Sequence, residues 1–177
     1  RVTVAAAPRL DFSEAQMALA LAVAGDPDLA AFYGGNGLRP IFLGPESEAR
    51  RAALRAGIAA APRHGIPSAR YRPETLTAGA DDLAAELAHA RALSRLLRDL
   101  TGGVLDPGRV DPEIKRRPDR AAMARLLARF QAAADPAGVL ADAAPRHPAY
   151  AALQEALAGP AELVVPVDLP RVPVGVW

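Results

Sequence analysis

Four corners cut this chain into short runs. They are Phe32-Tyr33 ahead of Pro40-Ile41-Phe42, His64-Gly65 ahead of Tyr71, Gly102-Gly103 ahead of Asp106-Pro107, and Ala144-Pro145-Arg146-His147-Pro148-Ala149-Tyr150. Glycine and proline stop helices, so each corner reads as a helix boundary, and the rings beside them read as anchors into a common interior. None of the corners reads as an active site.

Between the corners the apolar residues recur at helical spacing. Glu14 follows Asp11 at capping-box distance, and Met17, Ala20, Leu21 and Ala24 come next, giving a first helix that stops at Gly25. Asp26-Pro27 opens a second helix, which closes on Phe32-Tyr33 and turns through Gly34 to Gly37. Pro40 to Leu43 is an extended connector, and Gly44-Pro45 leads to a helix from Glu46 with Ala49, Ala53, Leu54 and Ile58 inward until Pro62 breaks it. A short turn spans Glu74 to Thr77. Asp81 then opens the longest helix, whose stripe is Leu83, Leu87, Ala90, Leu97 and Leu100. After a loop with two Asp-Pro caps, a helix from Asp119 carries Met123, Leu126, Leu127 and Phe130. Asp135-Pro136 and His147-Pro148 start two more, the second burying Tyr150, Leu153 and Leu157.

The fold class that follows is all-α: a single irregular bundle of about six to eight helices. At 177 residues, 51% apolar but only 5% aromatic, the chain suits close packing of alanine-rich helices better than a thick sandwich core. From Val164 onward Pro166, Pro170 and Pro173 alternate with valines, which favours extended backbone. The expected division is a helical domain over 1–162 and an extended Pro/Val-rich linker over 163–177, leading to a further domain.

Composition argues against several functions. A net charge of +1 supplies no general field for nucleic acid or an anionic membrane surface, and the longest nearly apolar stretch, Met17 to Gly25, is too short for a membrane span. The chain has no cysteine, so it has no disulfide, thiolate metal site or thiol nucleophile. His64, His89 and His147 lack metal-ligand spacing, and no cofactor is expected. His64 and His147 sit at helix boundaries, where capping is the simpler role. The turn from Gly34 to Gly37 lacks the lysine and preceding strand of a phosphate loop, and Ser13, Ser47, Ser68 and Ser94 lack a nucleophile elbow.

Two charged groups remain. Asp81, Asp82 and Glu86 have the spacing of an acid–base pair, but they also lie in a first helical turn, where the macrodipole favours carboxylates. Arg91, Arg95 and Arg98 share one helical face and form a candidate surface for an acidic partner, with a second basic spot at Lys115 to Arg117. Phe32, Tyr33, Tyr71 and Tyr150 are the expected structural anchors, and no catalytic residue is assigned.

In their order, these landmarks resemble the N-terminal scaffold domain of large, YcbB-like L,D-transpeptidases. Phe32-Tyr33 before Arg39-Pro40-Ile41-Phe42, His64-Gly65-Ile66 before Tyr71, the turn from Gly103 to Pro107, and Ala144 to Tyr150 followed by Leu153 carry the resemblance from about Asp28 to about Pro160. It implies a periplasmic polypeptide, exported or anchored through an upstream segment, whose later domains bind peptidoglycan and join its stem peptides through a cysteine acyl-enzyme. This chain carries no thiol for that step, so the resemblance implies a non-catalytic scaffold that positions the peptidoglycan-binding and catalytic domains and meets peptidoglycan or cell-wall synthesis proteins. The reading that competes with it is a free-standing helical interaction module using the Arg91, Arg95, Arg98 face.

Overall fold

A computed structural model describes residues 12–76, 82–105, 113 and 120–159. Among the described residues the chain forms seven α-helices and no strand, in agreement with the all-α expectation. The helices are α1 (Glu14–Val23), α2 (Pro27–Gly35), α3 (Glu48–Ala60), α4 (Leu83–Gly102), α5 (Arg120–Ala132), α6 (Pro136–Ala143) and α7 (Pro148–Ala158). Short 3-10 turns occupy Pro45–Ser47, Ala61–His64, Ser68–Tyr71 and Pro73–Thr75. The Pro/Val-rich linker, the 162/163 boundary, Asp11, Asp81, both Asp-Pro caps of the long loop and the Lys115 to Arg117 spot lie outside the described residues.

Local chemistry sets the helix starts. Asp26 accepts hydrogen bonds from the backbone amides of Asp28 (3.1 Å) and Leu29 (3.2 Å), and Pro27 takes the position where a missing N–H is harmless. Asp135 caps α6 through the Gly138 amide at 3.1 Å, and His147 caps α7 by accepting from the Ala149 amide at 3.2 Å. The capping box of α1 is formed by Ser13 and Gln16, with Ser13 holding the extended backbone next to the first turn.

α4 is the central element and packs against α1, α2, α3, α5 and α6, while α2 lies along α5 and α3 along α6. Its Leu93, Leu96 and Leu97 are fully buried with Leu54 of α3, Leu127 and Phe130 of α5, and Phe42 of the connector. Each such leucine contributes about 1.5–3 kcal/mol of burial. Gly57 lets α3 come close: a Cβ there would stand 2.7 Å from Leu140 and 3.1 Å from Leu96.

Packing sets the face of α1 and corrects the expected burials on α3 and α7. α1 turns Leu19 and Val23 inward, so Met17 and Leu21 face out, Leu21 at 79% exposure. On α3, Ala49 is exposed and the buried set is Arg51, Ala53, Leu54 and Ile58. On α7, Leu153 and Leu157 are exposed at 68% and 55%, because this helix touches the body mainly through the Ala61–His64 turn.

Candidate functional site

The arginine face predicted on α4 is built on a helix whose other two stripes are core. Arg91, Arg95 and Arg98 all project to solvent, yet each also reaches back to the body. Arg91 donates to the Ala22 carbonyl (3.3 Å) and Arg95 to the Arg70 carbonyl (3.0 Å), whereas Arg98 pairs with the Asp28 carboxylate at 2.8 Å. The structure therefore divides the trio: among the described residues Arg91 and Arg95 pair with no carboxylate, and Arg98 joins α4 to α2. A groove of about 330 Å³ runs beside Arg91 and Arg95, bounded on its other side by Tyr71, Arg72 and Thr75.

Inside the body, polar side chains act as clamps. Residues 39–44 are not helical, so their buried backbone groups need partners from elsewhere. Glu86, fully buried on α4, supplies them: one carboxylate oxygen accepts from the Ile41 amide at 2.8 Å and from the Tyr33 hydroxyl, and the other accepts from the Phe42 amide at 2.7 Å. Arg50 donates its Nε to the Ile41 carbonyl at 2.7 Å, and the Ser47 hydroxyl donates to the Gly44 carbonyl at 2.6 Å. His89 stacks on Phe42 with ring centroids 5.2 Å apart and donates its Nδ1 hydrogen to the Ala85 carbonyl at 2.8 Å. The macrodipole account of Glu86 is thus insufficient. Asp82 caps α4 through the Ala85 amide at 2.8 Å, but Glu86 is a buried staple and the two carboxylates do not form an acid–base pair.

A second clamp fixes the turn before α4. Asp99 accepts two bonds from the Arg70 guanidinium, at 2.7 and 3.2 Å, and one from the Tyr71 hydroxyl at 3.0 Å. Burial, then the Asp99 charge, pushes the Tyr71 phenol well above its ordinary range. Burial and the Glu86 charge do the same to Tyr33. A third clamp holds α7: His64 Nδ1 lies 2.7 Å from the Tyr150 hydroxyl and 3.1 Å from the Gln154 amide nitrogen. His64 is therefore a side-chain bridge rather than a backbone cap, while His147 caps as expected. Of the four expected anchors, Phe32, Tyr33 and Tyr71 are buried and Tyr150 is half-buried, held by its hydroxyl and by its ring stacked on His64 at 5.9 Å.

Among the described residues no group of three or more histidine, aspartate or glutamate side chains could hold a metal ion, and no helix is long and apolar enough to cross a membrane. Sequence reasoning missed Glu86 and Asp99 as buried groups. The signal was their register, since Glu86 falls one turn from both Leu83 and Ala90 on the buried stripe.

No curated protein and no solved structure matches the chain. A family model described as Scaffold domain matches residues 27–157, from the first residue of α2 to within α7. That match covers most of the 177 residues and takes in the clamped connector, both buried carboxylates and the His64–Tyr150 bridge. The chain therefore belongs to the Scaffold domain family.

Proposed function

We propose that this chain is the non-catalytic scaffold domain of a periplasmic L,D-transpeptidase, which holds the peptidoglycan-binding and catalytic domains of the same polypeptide in a fixed relation during cell-wall cross-linking. The observation that carries the reading is the coincidence of the family match with the sequence landmarks. The stretch over 27–157 contains the corners at Phe32-Tyr33, His64-Gly65, Gly102-Gly103 and Ala144 to Tyr150. Their chemistry suits a scaffold. Phe32, Tyr33 and Tyr71 are used up in the core, and the buried carboxylates Glu86 and Asp99 each tie a non-α segment to α4. Such doubly anchored corners give a body whose surfaces keep constant spacing, as the attachment of two further domains requires. Cysteine acyl transfer needs a thiolate, which this sequence does not contain, so the reaction is assigned to a later part of the polypeptide.

The test compares this chain with the longer polypeptide on purified muropeptides. The expected result is no cross-linked product from the chain alone, product from the longer polypeptide, and loss of that product when 27–157 is removed while the catalytic domain stays folded. Turnover by the chain alone, or full activity after the deletion, overturns the reading.

A further inference from the structure

The groove along α4 joins features that the sequence does not place together. Leu87, Ala88 and Ala92 give it an apolar floor, and Arg72, Arg91 and Arg95 stand around it. Its other lining residues are Tyr71, Thr75 and Ala84, so no carboxylate lines it among the described residues. Among the described residues Arg91 and Arg95 donate to backbone carbonyls and make no ion pair, and Arg72 meets Glu74 at 3.6 Å with both side chains mostly in water. A solvent-exposed pair of that kind contributes little. Arg72 also adopts a left-handed backbone (φ 51°, ψ 56°), which a residue with a Cβ rarely takes. Strain of this kind persists where the surroundings hold it, and here it sets a third guanidinium beside the floor.

We propose that this groove is a docking site for an acidic amphipathic helix of a partner protein, which lays a leucine onto Leu87, Ala88 and Ala92 and brings carboxylates to Arg91 and Arg95. Charge complementarity selects the occupant. Arg91 and Arg95 lie one helical turn apart, about 6 Å along α4, which is the spacing of glutamates at i and i+4 on a facing helix. Guanidinium and carboxylate match as planar, two-point partners, and a leucine at i+3 falls on the same face as the two acids. Nucleic acid fits less well. It would use the charge but not the alanine and leucine floor, and the one ring among the described lining residues, Tyr71, is buried with its hydroxyl committed to Asp99. The inference differs from the basic-face reading of the sequence in its members: Arg98 is withdrawn by Asp28, and Arg72 takes its place.

The probe is a synthetic acetylated and amidated peptide of about four helical turns, with glutamates at i and i+4 and leucines at i+3 and i+7. Its control carries lysine for every glutamate. Titration into the 15N-labelled chain is expected to give saturable shifts at Leu87, Ala88, Arg91 and Ala92 with the acidic peptide and none with the control. Arg91→Gln with Arg95→Gln is expected to weaken binding about tenfold and flatten its salt dependence, each single change accounting for part of the loss, while Arg98→Gln, which removes one charge outside the groove, changes it less than about twofold and less than either single change. Circular dichroism checks that each variant is folded, and Ala84→Trp, which obstructs the groove without changing charge, is expected to abolish the shifts. Absence of saturable shifts, equal binding of the lysine peptide, or indifference to the Arg91 and Arg95 changes overturns the proposal. So does tighter binding at the same residues by a single-stranded oligonucleotide or an anionic vesicle.

Discussion

The Tyr33 hydroxyl on α2 donates to the Glu86 carboxylate on α4, joining residues 53 positions apart in sequence inside the core. The same carboxylate accepts the Ile41 and Phe42 amides, so one buried acid fixes the end of α2, the connector and α4 in one register. Charged acceptors make stronger hydrogen bonds than neutral ones, and here three donors share one acid.

Removing that acid strands three buried donors. Glu86→Ala is expected to destabilise the chain by about 3–5 kcal/mol, a large part of the about 5–15 kcal/mol that holds a typical domain. Glu86→Gln keeps the shape but turns an NH2 toward an N–H, and loses about 2 kcal/mol. Denaturant midpoints measure both. Combining Tyr33→Phe with Glu86→Ala is expected to cost less than the sum of the single changes, since they share a partner.

Alkaline pH acts on the same clamp. Burial raises Tyr33 and Tyr71 in the fold, so each stays protonated where the unfolded chain's phenols, near 10.0, ionise. The unfolded state then binds fewer protons, and stability falls as pH climbs above about 10, by up to about 1.4 kcal/mol per pH unit for each tyrosine. Lys115 is the only lysine, so few other groups titrate in that window. Denaturation midpoints between pH 9 and 11 should show the decline, and Tyr71→Phe should make it shallower; an unchanged slope in that variant would count against the assignment.

His64 gives the opposite limb. Burial first, then the Arg63 charge, holds its imidazole below the ordinary 6.5. Its Nδ1 accepts from the Gln154 amide, and a proton there removes that acceptor. The bridge is therefore intact above about pH 6.5 and is lost as pH falls through the lowered folded value. The exchange protection of the α7 amides, taken relative to the intrinsic rate at each pH, is expected to drop as pH falls below the ordinary imidazole range while that of α4 does not, and His64→Gln should remove the difference.

Much of the frame was legible because it rests on local rules. Asp26-Pro27, Asp135-Pro136 and His147-Pro148 are starts that any backbone must respect, and Gly103, at φ 84°, stops α4 where a side chain would be strained. The phase of α1 and α7 was not legible. Both are so rich in Ala and Leu that spacing selects no face, which is set instead by packing of α1 against α2 and α4 and of α7 against the Ala61–His64 turn. Glu86 was misread because a first-turn carboxylate satisfies the helix dipole alone. What placed it inside was a distant need, the unpaired amides of Ile41 and Phe42, to which α4's own sequence makes no reference. The arginine trio could be read as a face but not divided, since Asp28 and Arg72 come to α4 from other elements.

Arg72 offers a separation of stability from surface chemistry. Its left-handed backbone (φ 51°) costs a residue with a Cβ about 1–2 kcal/mol, which glycine escapes, while glycine's extra unfolded freedom returns about 0.5–1 kcal/mol of that gain. The ion pair with Glu74 is exposed on both sides, and its loss weighs little. Arg72→Gly should therefore hold or raise the melting temperature while removing one cation from the groove, and Arg72→Val, whose branched Cβ tolerates that backbone least, should lower it. If the glycine variant melted well below the parent, the Arg72 side chain would be contributing packing to the turn, and its place at the groove rim would be structural.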